Sequence, residues 1–402
     1  MTEHCRFWVV AVPTVGGSVA RTLATLASAT ATLGLSVNNE LRVPRLQVGT
    51  LDTLMGLSDA IAKVDEQAEG IVKKVARQYL DTIEERSEKK LSQRSETALF
   101  VDNDSPASYV RKFTWDRARY SLSAPLDSLT ETIGSICVKY GEDLRMLSHK
   151  YTETKSNLAA LNRKESGSLL VRPLSLVVGP KDMVEGDYLE SIIVVVPIAR
   201  EKEWLSTYEK LENEYVPPED VVEANPFTTH FVKCRAVVPG SSLELHRDQE
   251  YIAYRVVLIK KYSHMFKEPA KLKRFTCREY HYDKAEVANT AAAKLQLQKE
   301  VDYLWRNLVK WCATAYSEVF KAWIHIKVIR VFIESVLRFG LPIDFAAATL
   351  EVKPDKEEAL RSALLKLYSN LAGASMTQAT DEIDYSGVGA DFYPYVFLKI
   401  DV

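Results

Sequence analysis

Helical periodicity is the strongest pattern in this chain, and it is longest between Lys284 and Phe339. This stretch contains neither Gly nor Pro, the residues that most often end a helix. Asp283 can cap the first turn, and Gly340-Leu341-Pro342 is a helix-stop sequence. The apolar stripe of the predicted helix consists of Ala288, Ala292, Leu295, Val301, Leu304, Trp305, Leu308, Trp311, Cys312, Ala315, Val319, Ala322, Trp323 and Ile326.

After Trp323 the apolar positions cover nearly every face of this predicted helix. A helix that is apolar on one side lies at a surface, whereas a helix that is apolar all round is buried. We therefore predict that the helix begins as an arm and ends inside a hydrophobic core.

A second long helix is predicted from Ser123-Ala-Pro125 to near Gly167. Its apolar residues advance with a mean step of about 3.5 residues, which is typical of a coiled coil. They are Leu126, Leu129, Ile133, Ile136, Tyr140, Leu144, Leu147, Tyr151, Thr154, Leu158 and Leu161. Gly134 and Gly141 lie within this helix, and each is expected to reduce its stability by roughly 1 kcal/mol.

Between the two long helices the pattern changes to short β-branched segments. Residues 191–197, 228–238 and 251–259 are predicted strands, and residues 204–211 are a predicted short helix. This order is typical of a small α+β unit.

The chain begins with a predicted buried strand at residues 6–12, followed by Gly16-Gly17 and a helix to Ala31. A strand, a glycine turn and a helix can hold a phosphate group at the helix N-terminus. The two glycine-rich phosphate-binding motifs, G-x-G-x-x-G and G-x-x-x-x-G-K-[ST], are both absent. An ordinary strand–helix turn is therefore the favoured interpretation, and nucleotide binding is the alternative. A further amphipathic helix is predicted from Asp52 to Ile83.

The order of these elements predicts an α+β fold that is mainly helical and elongated. Along the chain, one long helix is followed by a compact unit and then by another long helix. The two long helices are therefore expected to run in opposite directions and to pack antiparallel. The predicted shape is a dumbbell, in which a globular foot from both chain ends is joined to an inserted α+β head by a two-helix neck. The predicted boundaries are 1–121 and 325–402 for the foot, 122–166 and 283–324 for the neck, and 167–282 for the head.

Composition and charge restrict the function classes. The chain of 402 residues is too long for one ordinary core, and 47% hydrophobic with 26% charged residues is typical of a folded soluble protein. The net charge of −2 gives no general affinity for nucleic acid. The sequence shows no membrane-spanning apolar run and no signal peptide, which predicts a cytosolic or membrane-peripheral protein.

Candidate chemistry is sparse. The 5 cysteines are dispersed without a C-x-x-C pair. Cys277 and His281 have the spacing of half a zinc site, but no second half follows, so we predict neither metal nor cofactor. His325 lies among apolar residues and is interpreted as a hydrogen-bonded core histidine. No hydrolase or phosphate-loop motif is present, which predicts a protein without catalytic residues.

One basic cluster is a candidate partner-binding surface. It consists of Lys260, Lys261, Lys267, Lys271, Lys273, Arg274 and Arg278. Glu268 is the only carboxylate in the same span, so the cluster has the charge to bind an acidic partner helix. A solvated basic face without a partner is the alternative interpretation.

Several segments spread along the chain carry a resemblance to a known family. They are AYSEVFKAWIHIKVIRVFIESVLRFGLP (315–342), VGTLDTL (48–54), NLAALNRK (157–164), FTCREYHY (275–282) and FYPY (392–395). With these segments the chain resembles the C subunit of the vacuolar-type (V-type) proton-pumping ATPase (V-ATPase) over essentially its whole length.

That resemblance implies a non-catalytic component of the soluble ATP-hydrolysing sector, with a foot, a neck and a head. It implies that the head binds the E and G peripheral-stalk subunits, and that the foot lies near a second stalk and the N-terminal domain of the membrane-sector a subunit. It also implies release during reversible pump disassembly, a peripheral place on the cytosolic face of vacuolar or endosomal-type membranes and, for some members, actin binding. A nucleotide-binding switch and an actin tether are the alternative functions.

Overall fold

The computed structural model describes residues 5–31, 34–86, 99–184, 186–211, 214–215, 232–233, 236–341, 344–371 and 393–402. Contacts divide the chain into two compact units. Unit 1 comprises Met1–Lys150 and Leu304–Val402, and unit 2 comprises Tyr151–Tyr303. Most of the strand predicted at residues 228–238 lies outside the described residues, as does Pro342 of the predicted helix stop.

The described residues contain long helices, short helices and antiparallel strands. The helices are α1 (Val19–Ala31), α2 (Leu51–Glu84), α3 (Pro106–Arg111), α4 (Leu126–Glu165), α5 (Glu201–Thr207), α6 (Ser263–Leu272), α7 (Lys284–Phe339) and α8 (Glu357–Leu367). The strands are β1 (Arg6–Pro13), β2 (Ser36–Glu40), β3 (Leu189–Pro197), β4 (Glu214–Tyr215), β5 (Val232–Lys233), β6 (Leu243–Arg247), β7 (Tyr251–Ile259), β8 (Thr276–Arg278), β9 (Phe345–Val352) and β10 (Val396–Asp401). The α+β class predicted from the sequence is confirmed.

Unit 1 contains a four-stranded sheet in the order β10–β1–β9–β2, and all of its pairings are antiparallel. Strand β1 lies between β9 and β10, and its side chains are buried over most of its length. Leu26 of α1 and Leu360 and Leu364 of α8 pack in the same hydrophobic cluster as this sheet. The N-terminal and C-terminal parts of the chain therefore share one core.

Helices α2 and α4 pack side by side in unit 1 and run parallel. The contacts recur every seven residues and join Val64 to Gly134, Ile71 to Gly141 and Gln78 to Ser148. A repeat of seven keeps the same face of each helix against its neighbour, as in a coiled coil. The two glycines therefore lie at the helix contact, where the absence of a side chain permits close approach.

Helix α7 packs antiparallel to α2 within the same unit. Trp323 donates its indole N–H to Asp65 (2.9 Å), near the start of α2. Trp305 donates to the backbone carbonyl of Thr82 (2.8 Å), near the end of α2. The sequence predicts that α4 and α7 pack as a pair. The structure shows that in unit 1 the helix α2, which is also predicted from the sequence, packs against both of them.

The bounds of α7 confirm the sequence prediction. Asp283 accepts the N–H of Ala285 (2.7 Å) at its start, and Gly340 follows its end with a positive φ of 78°. The prediction of an all-round buried end is also confirmed. The residues after Trp323 that are buried in unit 1 include Ile324, Ile326, Val328, Ile329, Val331, Phe332, Ile333 and Val336.

The predicted stripe is wrong in the first part of α7. Ala288, Ala292 and Leu295 are exposed, whereas Lys294 is half-buried and Val301 is buried. Lys294 pairs with Glu165 of α4, so the contact between the two helices in unit 2 is partly ionic. Lys294 therefore lies on the face of α7 that contacts α4 in unit 2, whereas the predicted stripe position next to it, Leu295, is exposed.

Unit 2 is built on a four-stranded antiparallel sheet in the order β6–β7–β3–β8. One face of the sheet packs against α5 and α6 around Trp204, which is fully buried. The other face packs against Leu169, Leu174 and Val178. Alternate residues of β3 point to opposite faces, so both faces of this central strand are buried.

Candidate partner-binding surface

The predicted basic cluster surrounds helix α6 of unit 2. Lys260 and Lys261 follow β7, Lys267 and Lys271 lie on α6, Lys273 and Arg274 follow α6, and Arg278 lies on β8. Helix α6 has 10 residues, which corresponds to a length of about 15 Å. The cluster therefore extends along the whole helix: Lys260 and Lys261 precede its start, Lys267 lies in its middle, and Lys271, Lys273 and Arg274 lie at its end.

Lys260 and Lys261 are both exposed at the end of β7. The backbone N–H of Lys260 donates to the carbonyl of Tyr188 (2.9 Å), and the side chain of Tyr188 is exposed. The Lys261 ammonium lies 5.7 Å from the centre of the Tyr262 ring. This end of α6 thus presents two cations and one exposed tyrosine.

Two lysines of the cluster form ion pairs within unit 2. Lys267 pairs with Glu279, and Lys273 lies 3.8 Å from a carboxylate oxygen of Glu203. The ion pair with Lys267 lowers the pKa of Glu279. Surface pairs of this kind contribute little to stability, but they reduce the charge available to a partner.

Arg278 has a role inside unit 2. Its guanidinium donates to the backbone carbonyls of Leu169 and Arg172, at 2.7 Å each. Burial lowers the pKa of this guanidinium. Arg278 therefore fixes the segment that covers one face of the sheet, and its guanidinium is engaged in these internal contacts.

The clustering of basic residues in the sequence does not show which of them form ion pairs within unit 2 and which face solvent. Glu279 and Glu203 neutralise lysines because folding brings them close, and β8 directs Arg278 toward the second face of the sheet. Lys271 and Arg274 remain exposed, and neither forms an ion pair with any described residue. These two cations are the accessible part of the cluster at the end of α6.

A buried charge network in unit 1 was not predicted from the sequence. Asp65 of α2 is buried and lies 3.0 Å from the Lys327 ammonium and 2.8 Å from the Arg330 guanidinium, both on α7. Burial opposes the charge on Arg330, but the carboxylates of Glu334 and Asp65 outweigh it and raise the pKa of this guanidinium. The network joins α2 to α7. In the sequence, the feature that indicates it is Asp65, an acidic residue on the apolar side of α2.

His325 is a buried histidine with both ring nitrogens hydrogen-bonded, which confirms the core interpretation. Its Nε2 accepts the backbone N–H of Asp116 (3.1 Å), and its Nδ1 lies 2.7 Å from the carbonyl of Lys321. Since Nε2 accepts a hydrogen bond and Nδ1 faces an acceptor, the neutral ring protonated on Nδ1 satisfies both contacts. Burial lowers the pKa of His325 to about 4.

Comparisons with known proteins give one consistent result. The family model that describes the V-ATPase C subunit matches residues 7–396. A Caenorhabditis briggsae protein named as the C subunit of the V-type proton ATPase is 36% identical over 92% of this chain and 91% of its own length. The rat protein named as the C 1 subunit of that ATPase is 34% identical over 100% of this chain and 98% of its own length. The chain belongs to the V-ATPase C subunit family.

Membership of the V-ATPase C subunit family implies an accessory component of a proton-transporting ATPase. A relative from Manduca sexta, also named as a C subunit of the V-type proton ATPase, is 33% identical over 98% of this chain and 97% of its own length. In the described ranges, no helix combines the length and apolar character needed to cross a membrane. No group of three or more His, Cys, Asp or Glu among those residues is placed to hold a metal ion.

The glycine turn that suggested a nucleotide site has a local explanation in this family member. Gly16 and Gly17 both have positive φ, at 60° and 68°, and form a tight turn between β1 and α1. Thr22 accepts the N–H of Val15 (2.8 Å), and Ser18 accepts the N–H of Arg21 (3.4 Å). The sheet beside the turn is antiparallel, unlike the parallel sheets of dinucleotide-binding folds. These contacts favour an ordinary strand–helix turn.

Proposed function

We propose that this protein is a non-catalytic stator and regulatory subunit of a V-ATPase, and that it supports ATP-driven proton transport and the acidification of organelles. The match to the C subunit family over residues 7–396 is the observation that carries this proposal. The division of the chain into two compact units, each with its own sheet, supports it because each unit offers a separate surface for a partner.

The proposed partners are the E and G peripheral-stalk subunits and the N-terminal domain of the membrane-sector a subunit. A chain that holds two partners at once converts the second binding event into an intramolecular one. Individually weak contacts then give a stable assembly, and loss of one contact releases the chain. This provides a physical basis for the proposed control of reversible assembly.

The proposed place of the protein is peripheral, on the cytosolic face of vacuolar or endosomal-type membranes, where it is held through the complex. The predicted foot, neck and head, with an elongated dumbbell shape, remain part of the same proposal. Small-angle X-ray scattering of the full chain tests the shape. A maximum dimension well above about 80 Å, the length of a straight helix the size of α7, is expected.

Affinity purification of the tagged full-length chain, followed by mass spectrometry, tests the proposed assembly. The E, G and a subunits of the pump are expected among the recovered proteins, and membranes from cells that lack the chain are expected to lose ATP-dependent acidification. Recovery without V-ATPase components, together with unimpaired acidification, would contradict the proposal. The purified chain alone is expected to hydrolyse no ATP and to show the same melting temperature with and without excess ATP.

A further inference from the structure

Helix α6 ends in a left-handed turn at Arg274, whose φ is 58°. The N–H of Phe275 donates to the carbonyl of Ala270 and the N–H of Arg274 donates to the carbonyl of Lys271, at 2.9 Å each. These are the two hydrogen bonds of a Schellman helix end, and the buried pair Phe275 and Ala270 supplies its usual apolar contact. The position that Arg274 occupies in this motif is normally glycine, because a side chain disfavours a left-handed backbone.

The arginine at this position gains no compensating ion pair among the described residues. The other non-glycine residues with positive φ in the described ranges are Asp102 and Asn103, whose short polar side chains tolerate this conformation. Arg274 lacks that property and is exposed. Glycine at this position would adopt the left-handed backbone with less strain. The packing of unit 2 therefore does not explain why an arginine is present.

Two residues just before Arg274 are also exposed without an explanation in the packing of unit 2. Leu272 is 84% exposed, the largest value among the exposed large apolar side chains of the described ranges. Lys271 is exposed and unpaired in those ranges, although the neighbouring Lys267 and Lys273 are both paired. One end of α6 thus presents an apolar side chain between two cations that the described residues leave without a counter-charge. We call Lys271, Leu272 and Arg274 the α6-end surface.

We propose that the α6-end surface is a docking site for an acidic segment of a partner protein. The site rests on the proposed function, which makes the E–G stalk pair the partner to test. Carboxylates of the partner pair with Lys271 and Arg274, and an apolar pocket between them receives Leu272. A guanidinium is suited to this contact because its planar fork binds a carboxylate through two hydrogen bonds.

The charges and the apolar side chain favour a protein over a membrane as the occupant. Stable attachment to an anionic bilayer requires several basic residues together with a larger apolar surface or a lipid anchor. The α6-end surface offers two unpaired cations and one leucine, and the paired Lys273 lies between them. A small, charged surface around one leucine therefore matches a pocket in a protein better than it matches an anionic bilayer.

Binding of the full-length chain to a purified E–G pair tests the docking site. The variants Leu272→Ser and Arg274→Gly are each expected to weaken binding at least tenfold, and Arg274→Gly is expected to reduce the salt dependence of the dissociation constant. Tyr188→Ser and Lys260→Ala are matched controls, since they remove an exposed ring and an exposed cation near the other end of α6. Both controls are expected to bind within twofold of the unmodified chain.

A second measurement separates the docking role from a folding role. Arg274→Gly relieves the left-handed arginine, so its melting temperature is expected to rise while its binding weakens. If the unmodified chain binds E–G and the α6-end variants bind equally well, the docking site is wrong and the proposed function stands. If the unmodified chain does not bind E–G, both are wrong. If the same variants instead lose binding to phosphatidylserine vesicles, the occupant is a membrane and the inference is overturned.

Discussion

Gly134 of α4 lies directly against Val64 of α2, so that a Cβ atom on Gly134 would come within 3.1 Å of a Val64 methyl carbon. One heptad further on, a Cβ on Gly141 would lie 3.4 Å from Ile71. Glycine in a helix interior normally lowers stability, and the sequence alone indicates two weak points in α4. The structure shows instead that both glycines allow α2 and α4 to approach closely.

Replacement of Gly134 by alanine is therefore expected to lower the free energy of unfolding by about 1–2 kcal/mol. Val64 is β-branched and stiff about χ1 in a helix, so it cannot move away easily. Gly70→Ala in α2 is the matched control, because a Cβ there meets nothing within 4 Å. The control is expected to raise stability by roughly 0.5–1 kcal/mol. Equal stabilisation by both variants in urea unfolding would contradict close packing at Gly134.

Local periodicity was sufficient to predict α4 and α7, because a helix is determined by residues close in sequence. The central place of β1 was not predictable in the same way. Its partners β9 and β10 come from the other end of the chain, and Ala346-Ala347-Ala348 in β9 has little intrinsic preference for a strand. The packing of α2 against α4 was also missed, because a glycine that permits close approach looks identical in sequence to a glycine that weakens a helix.

The sequence is sufficient to predict that basic residues cluster around α6. It does not predict which of these residues are paired, directed inward or exposed. The sequence identifies seven basic residues around α6, yet pairing with Glu203 or Glu279 depends on side-chain geometry created by folding. The inward direction of Arg278 depends on the pairing of β8 with β3. The exposure of Leu272 and the left-handed backbone of Arg274 likewise required the structure.

Loss of the Asp65 carboxylate is expected to destabilise unit 1 strongly. Asp65→Ala removes the carboxylate 3.0 Å from the ammonium of Lys327, a residue that is 5% exposed, and leaves the Glu69 carboxylate at 3.7 Å. Removing one partner of a buried ion pair typically costs about 3–5 kcal/mol, because the remaining charge stays desolvated. Urea unfolding measures the loss.

The double variant Asp65→Ala with Lys327→Met provides the control for this network. It removes both charges, so it is expected to recover a large part of the stability lost in Asp65→Ala. Lys73→Ala, which breaks an exposed pair with Glu69, is expected to change stability by less than about 1 kcal/mol. Additive losses in the double variant would show that Asp65 acts without Lys327.

His325 is expected to make stability depend on pH between about 6.5 and 4. Its pKa in the folded protein is about 4, against 6.5 for an exposed histidine, so the unfolded chain binds a proton first as the pH falls. The fold therefore keeps its full stability above pH 6.5 and loses about 3 kcal/mol from this group by pH 4. Chemical unfolding at stepwise pH measures the slope.

The variant His325→Phe is expected to flatten that slope, whatever its effect on stability at neutral pH. His149→Gln is the control, because His149 is exposed on α4 and its replacement is expected to leave the slope unchanged. A slope that persists in His325→Phe would assign the pH dependence to other groups.

Burial of Leu144 in α4 provides a direct test of the helix packing in unit 1. Leu144 is 7% exposed, whereas Met146, two residues along the same helix, is 63% exposed. Leu144→Lys places an ammonium where an apolar side chain was buried, and a loss of at least about 3 kcal/mol is expected. Met146→Lys adds the same charge on the solvent side and is expected to change stability by less than about 0.5 kcal/mol. Equal effects of the two substitutions in urea unfolding would mean that this face of α4 is not buried in solution.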